Sequence, residues 1–507
     1  MTARLPALFE GFAAALAPDL AVTGIELDSR RVIPGGLFLA TQGHLQHGLN
    51  FVDEALQRGA AAVAWEPASD IANPDLPVPA FSIEKLGAHA GEIAARFYRH
   101  PSRDLFTVGV TGTDGKTSTA HLIAQAFDRL ARPSAYFGTI GYGRLGALKA
   151  ASHTTPDAVR LQQLLAVERD AGAQACAMEV SSHALDQGRV NGVEFDLAIL
   201  TNIGRDHLDY HGDIETYALA KRKLFAMPGL RMAVLNGDDS QGAEWARALS
   251  AQGQVGSSLP RVTLYGLDNI DRVARDECRF VFGLNLEPRN SGLCFDIRSS
   301  WGEARLESRL LGRFNVYNLL AALAALLNAD VPLHEAVAAL AASSTVPGRI
   351  EAFRGGADQP LVVVDYAHTP QALIAVLNAL RGHTAGKLVC VFGCGGDKDR
   401  GKRPLMGAAA AALADIAIVT DDNPRSENPA AIVAEIIAGI PPESRSKIRI
   451  EHDRARAIEQ AVRSAGIDDV VVIAGKGHED TQMYGRERRR FSDRAFVAAL
   501  VGAESPA

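Results

Sequence analysis

Between Leu105 and Ala120 the sequence reads LFTVGVTGTDGKTSTA, and its polar centre carries the most telling chemistry in the chain. Gly112 and Gly115 flank Thr113 and Asp114, and Lys116-Thr117 follows at once. A glycine-rich turn between a strand and a helix aims several backbone N–H groups at one point, where the helix dipole also favours negative charge. That chemistry suits phosphate, with Lys116 neutralising a terminal phosphate and Thr117 offering its hydroxyl to Mg2+. The usual P-loop has a glycine where Val110 stands, so TGTDGKT is a shortened variant. A plain turn with a solvated lysine explains neither the two glycines nor the Lys-Thr pair.

Two further clusters follow strands. The apolar run ACAMEV delivers Glu179 and then Ser181-Ser182-His183, which puts a carboxylate where α/β folds bind ligands and where it can hold Mg2+ beside Thr117. The run FDLAILTNIG leads into Arg205-Asp206-His207-Leu208-Asp209-Tyr210-His211, a density of Asp and His that favours metal or phosphate chemistry over a solvated loop. Lys221 and Lys223 lie on the helical segment TYALAKRKLF, where such spacing reads by default as a surface basic helix. Thr154 and Thr155 precede a helix, and Asn315 and Asn318 lie near the start of another, so helix capping accounts for them at this level. Polar loops at Asp28-Ser29-Arg30 and at 41–48 suggest a pocket in the first module.

The elements that must position these residues are short strands alternating with helical stretches. Residues 1–98 read as a small α/β module, 99–345 as a βα series with an antiparallel stretch from about 256 to 310, and 346–507 as a third module. In the third module the runs LVVVDYAH, KLVCVFGCGGD, ADIAIVTDDNPR, KIRIEHD and DVVVIAGKGHE are separated by alanine-rich helices, which predicts an open, mostly parallel Rossmann-like sheet. Each run ends in polar or glycine residues, at the edge where such sheets bind ligands. The glycine spacing of Gly393-Cys394-Gly395-Gly396 is wrong for a dinucleotide fingerprint.

The 507 residues exceed one core and suggest about three domains. No signal peptide and no bilayer-spanning run is read from the sequence. The five scattered cysteines have no second pair to complete a zinc site and fit a reducing, cytoplasmic setting. A net charge of −7 supports neither nucleic-acid nor membrane binding.

Taken together, TGTDGKT, HTTPD (153–157), EVSSHALDQGRV (179–190), TNIGRDHLDYHG (201–212), GRFNVYN (312–318), DYAHTP (365–370), GCGGDKDRGKRP (393–404), DDNPR (421–425) and GKGHE (475–479) resemble the Mur ligases in order and over most of the chain. The resemblance implies a three-domain α/β architecture with a central P-loop ATP-binding domain and a C-terminal Rossmann-like domain. It implies an ATP-dependent, amide-forming ligase of peptidoglycan precursor synthesis. Its partners would be small molecules, with no nucleic acid and no membrane insertion, and a cytoplasmic monomer is expected.

The resemblance also implies residue roles. Gly112, Thr113, Asp114, Gly115, Lys116, Thr117, Ser118, Asn315, Arg349 and Asp365 would bind ATP, the last three implying closure of the C-terminal domain over it. Thr117, Glu179, His207 and Lys221 would serve metal binding, Lys221 as a carbamate derived from CO2; Lys116, Glu179, His207 and Lys221 are the expected catalytic set. Leu27, Ser29, His44, Leu45 and Gln46 would meet the uridine end of the substrate, and Thr154, Thr155, Ser181, Gln187 and Arg189 its sugar-peptide portion. Lys398, Asp422, Asn423, Pro424, Arg425, Gly475 and Glu479 would bind the incoming amino acid. In this family Asp-Asn-Pro-Arg marks enzymes that take meso-diaminopimelate, whose second carboxylate a guanidinium can grip bidentately. Lys398 departs from the arginine frequent at its position and cannot make a forked contact. A lysine-adding ligase is opposed by Arg425, a folylpolyglutamate synthetase by the first module and the Asp-Asn-Pro-Arg motif, and a non-catalytic nucleotide switch by Glu179, His207 and the third module.

Overall fold

A computed structural model describes residues 1–12, 17–43, 46–69, 71–151, 153–253, 259–267, 278–289, 291–356 and 358–502. The chain forms two units, Met1–Val281 with Ala321–Pro332, and Phe282–Leu320 with Leu333–Ala507.

The first unit opens on a small parallel sheet in the order Ile25–Glu26, Leu37–Ala40, Ala62–Trp65, Ala80–Ser82. The two central strands are apolar on both faces because both are covered: Leu37, Leu39, Ala62 and Ala64, with Phe81 of the edge strand, pack with the helix Leu86–Phe97, and Phe38, Ala40, Val63 and Trp65 with Ala55. Next come seven strands in the order Arg261–Gly266, Met232–Asn236, Leu197–Leu200, Phe106–Thr111, Ala175–Glu179, Ser134–Gly138, Gly141–Gly143. All pair in parallel except the last two, which form an antiparallel edge. Phe106–Thr111 therefore lies between the strands that end at Glu179 and Leu200. Register sets Glu179 opposite Val110 and Leu200 opposite Thr111, so three strand ends and the loops after them converge.

In the second unit the strands follow the order Glu351–Phe353, Leu361–Asp365, Val470–Ala474, Leu388–Phe392, Ile416–Val419, Ile448–Ile450, parallel except for the first pair. Their runs of Val and Ile are continuous because alternate residues serve opposite faces. Val363, Cys390, Val419 and Val472 enter one core, and Val364, Val391, Ile418 and Ile473 the other. The antiparallel hairpins Gly292–Ser299 with Gly302–Ser308, and Thr481–Tyr484 with Glu487–Arg490, complete this unit. No helix among the described residues is long and apolar enough to cross a membrane.

Candidate active site

The turn after Phe106–Thr111 is shaped by close approach. Gly112 has φ +143°, and a Cβ there would fall 1.8 Å from the Thr201 hydroxyl, so only glycine lets the loop pass this strand end. Thr201 Oγ1 donates to the Asp114 carbonyl at 2.6 Å, and Asn202 Oδ1 accepts from the Asp114 N–H at 3.0 Å, which fixes the loop from the neighbouring strand. The helix Lys116–Arg129 then starts with Gly115 as its N-cap and no side-chain cap, so its first amides are open to an anion. Lys116 Nζ donates to the carbonyls of Gly112 and Thr113, each at 2.8 Å, and burial pushes its pKa down.

Glu179 meets this helix from the next strand. Its Oε2 accepts from Thr117 Oγ1 at 2.7 Å, while Oε1 accepts from the buried Tyr136 hydroxyl at 2.5 Å and the Thr139 N–H at 2.8 Å. One oxygen is thus anchored, and the other stands beside a hydroxyl. Two hard oxygen donors so placed fit Mg2+. Tyr136 carries no motif, and only the strand register brings it under Glu179. Thr155 Oγ1 donates to the Glu179 carbonyl at 2.8 Å, and Arg189 reaches both the Thr155 carbonyl at 3.1 Å and Gln187 Oε1 at 2.6 Å. Thr154 lies 3.1 Å from the Thr139 hydroxyl. Thr155 does not cap the helix Ala158–Asp170, because Asp157 does; Ser181 does cap the short helix Ser182–Asp186.

The two lysines of the helix Ile214–Arg222 and the turn after it part company. Lys223 is half exposed and donates to Asp186 at 2.8 Å, as a surface lysine does. Lys221 is 1% exposed and donates to the Gly112 carbonyl at 2.8 Å, with Nζ 4.4 Å from the centre of the Tyr217 ring. Burial, reinforced by the nearby charge of Lys116, lowers its pKa to about 6. The default reading as a surface basic helix is therefore corrected at Lys221. The signal that would have found it is the spacing of Tyr217, Ala218, Lys221 and Leu224 on one buried helix face.

His207 has φ +52° and caps the helix Leu208–His211 through its backbone. Its ring lies 4.6 Å from that of His183, which is 5.5 Å from His211 and 4.3 Å from Tyr210. The imidazoles gather edge to face, and His211 also hydrogen-bonds Ser182 at 3.0 Å. Among the described residues no three His, Cys, Asp or Glu side chains converge as a metal-holding group.

In the second unit three strand-end loops meet. Gly475 has φ +123°, and a Cβ there would sit 2.6 Å from Asp422 Oδ2, so the GKGHE loop closes on DDNPR only through glycine. Gly396 N–H donates to the Asn423 carbonyl at 2.9 Å, tying in the GCGGDKD loop. Arg425, at φ +50°, is strapped to the Thr481–Glu487 hairpin: its N–H donates to the Met483 carbonyl and its own carbonyl accepts from Gly485. Its guanidinium donates to the Gly396 carbonyl at 2.7 Å. Asn423 Nδ2 donates to Glu479 Oε2 at 3.0 Å.

Behind these loops Arg403, fully buried, bridges Glu427, Glu435 and the Gly395 carbonyl, and Arg454 pairs with Asp493 at 2.7 Å while donating to the Ala474 carbonyl. Sequence reading missed both anchors, since their partners are distant in the chain. Asp365 accepts from the N–H groups of Ile350 and Ala367, and burial raises its pKa. Arg349 lies over the Tyr366 ring at 5.1 Å. Asn315 and Asn318 lie inside the helix Arg313–Asn328 and are not its caps: Asn315 donates to the Leu311 carbonyl and accepts from Asn318.

The remaining expected residues lie as follows. Ser29 is buried and donates to Glu54 at 2.6 Å, Leu27 packs at the edge of the first module's core, and Gln46 is exposed. His44 and Leu45 fall outside the described residues. Lys398 is exposed.

A shortened phosphate loop, its carboxylate partner and a Rossmann-like unit with three converging loops define a Mur-type ligase. The chain belongs to the Mur ligase family: residues 21–98 match the Mur ligase family catalytic domain, 110–326 the Mur ligase middle domain, and 348–477 the Mur ligase glutamate ligase domain. It is 48% identical over 97% of its length to the UDP-N-acetylmuramoyl-L-alanyl-D-glutamate–2,6-diaminopimelate ligase of Alkalilimnicola ehrlichii, and covers 97% of that protein. It is 47% identical to the ligase of that name from Pseudomonas aeruginosa, over 94% of each chain. A solved structure of a ligase of the same name superposes with a TM-score of 0.78 at 36% identity, over 99% of both chains. Folylpolyglutamate synthase of Mycobacterium tuberculosis, with a TM-score of 0.56 at 19% identity and 77% of this chain covered, shares the fold alone.

Proposed function

We propose that this chain adds meso-2,6-diaminopimelate to UDP-N-acetylmuramoyl-L-alanyl-D-glutamate with cleavage of ATP to ADP and phosphate, a step of peptidoglycan precursor synthesis. The reading is carried by the Asp422–Arg425 loop. In a Mur ligase 48% identical to named diaminopimelate ligases, it offers a fixed guanidinium for a distal carboxylate and, through Asn423, a fixed Glu479 for a distal ammonium. The enzyme acts in the cytoplasm as a monomer on small-molecule substrates, and its domains are residues 1–98 for the UDP end, 99–345 for ATP and 346–507 for the amino acid.

In the mechanism, the γ-carboxylate of D-glutamate attacks the γ-phosphorus of ATP and ADP leaves. The amino group of diaminopimelate then attacks the acyl carbon, an amide bond forms and the C–O bond to phosphate breaks. Gly112–Ser118 hold the phosphates through backbone amides, and Lys116 shifts from the loop carbonyls to the transferring charge. Asn315, Arg349 and Asp365 hold the nucleotide. Thr117 and Glu179 would hold Mg2+, together with His207 and a carbamate on Lys221; the metal supplies charge neutralisation at the phosphoryl oxygens. Thr155, Ser181, Gln187 and Arg189, with Thr154, orient the sugar-peptide, and Leu27, Ser29, Gln46, His44 and Leu45 the uridine. Lys398 and Gly475 border the amino-acid pocket. The chain provides no covalent nucleophile.

Oxygen tracing tests this chemistry. With 18O in the γ-carboxylate of the UDP-substrate, one labelled oxygen is expected in the released phosphate. Phosphate free of label would contradict the acyl-phosphate route.

A further inference from the structure

Lys476, between Gly475 and Gly477, is the one lysine besides Lys221 that is almost wholly enclosed among the described residues, and the mechanism above gives it no part. Its Nζ donates to the Thr481 carbonyl at 2.6 Å and to Glu479 Oε2 at 3.2 Å. The same Oε2 accepts from Asn423 Nδ2 at 3.0 Å, and the amide orientation of Asn423 is set because its Oδ1 accepts from the Met483 N–H at 3.0 Å. Both donors therefore converge on one oxygen of Glu479, while the carboxylate keeps about a third of its side-chain surface exposed.

We infer that Lys476 is a positioning residue that clamps Oε2 of Glu479 and so presents Oε1 as the acceptor for the distal ammonium of the amino-acid substrate. The inference rests on the reading of this loop as the diaminopimelate site. A glutamate free to turn would spend part of its time with its charge in water. Held by a buried cation and an amide, it is pre-organised before substrate arrives, so that less ordering is lost on binding. The clamp also links the GKGHE loop to Asn423, so the ammonium and carboxylate sites of one substrate are held at a fixed separation.

The test compares two substrates in the intact enzyme at saturating Mg-ATP and UDP-substrate. meso-Diaminopimelate carries the distal ammonium; L-2-aminopimelate retains the attacking amine and distal carboxylate but lacks that ammonium. For Lys476→Met, KM for diaminopimelate is expected to rise about 10- to 100-fold with kcat within about threefold, and KM for aminopimelate to change less than about twofold. Lys476→Arg, which keeps a buried donor cation, is expected to recover most of the diaminopimelate KM, and Lys476→Gln serves the same comparison if the methionine variant does not fold. An equal rise in KM for both substrates would show a merely structural lysine and overturn the inference, as would an unchanged diaminopimelate KM. Wild-type enzyme inactive with diaminopimelate would instead strike the proposed function itself.

Discussion

Replacing Lys221 by methionine is expected to lower kcat by about 10³-fold or more and, at the same time, to stabilise the fold. Both effects follow from one buried amine. In the unfolded chain this lysine titrates near 10.4, whereas in the folded chain its pKa is about 6. Folding between those values expels a proton, so the unfolded state binds more protons and the penalty eases as pH rises. It is full below about pH 6 and gone above the unfolded value. Near pH 7 the cost is of the order of 4 kcal/mol, partly offset by the bond to the Gly112 carbonyl, and methionine removes it.

A protein retains such a cost where the neutral amine is useful. On the proposed reading, unprotonated Lys221 would attack CO2, forming an N–C bond and losing a proton, which would turn a neutral amine beside the phosphate loop into an anion suited to a metal. Wild-type activity should fall in CO2-depleted buffer and return with bicarbonate, whereas the methionine variant should ignore both. Steady-state rates with bicarbonate, and thermal melts at pH 7 and pH 9 in CO2-depleted buffer where wild-type Lys221 is the free amine, check the pair of effects, the gain in melting temperature being the smaller at pH 9. A variant within tenfold of wild-type kcat, or one that melts lower at pH 7, would contradict this account.

The second large effect falls on Arg425. Arg425→Ala is expected to lower kcat/KM for meso-diaminopimelate by about 10²- to 10³-fold, mostly through KM, because on the proposed reading the distal carboxylate would lose a charged, forked partner. Use of L-lysine, which has no second carboxylate, should change little, so the preference between the two narrows by the same factor. The loop itself should survive: the backbone of Arg425 is held by Met483 and Gly485, and among the described residues the guanidinium's hydrogen bond is to the Gly396 carbonyl. Arg425→Lys should recover little, since an ammonium cannot span both oxygens. Equal losses with both amino acids would mean that Arg425 supports the loop rather than reads the substrate.

The parts of this molecule legible in sequence were those written in local patterns. Continuous Val and Ile runs announced two-sided strands, and Thr-Gly-Thr-Asp-Gly-Lys-Thr announced its own turn because glycine at Gly112 and Gly115 answers a backbone requirement. Roles that depend on what is packed alongside were not legible. Lys221 and Lys223 are two residues apart and of one type, yet helix geometry turns one inward and the other to Asp186. Asn315 reads as a cap from sequence, but the helix begins at Arg313 and takes Asn315 into its first turn. Tyr136 under Glu179 lies outside every motif, and Arg403 behind Gly395 and Lys476 beneath Glu479 stand inside motifs whose charge and spacing do not disclose that these two side chains are buried.

The most direct measurement is competition between the two amino acids for one product. Purified protein would receive Mg-ATP, UDP-N-acetylmuramoyl-L-alanyl-D-glutamate and equal meso-diaminopimelate and L-lysine, with products weighed by mass spectrometry and phosphate counted. The expected result is the diaminopimelate-containing tripeptide in large excess, with one phosphate per amide bond formed. Predominance of the lysine product would contradict the role of Arg425. Phosphate release with no amide product would contradict the ligase itself.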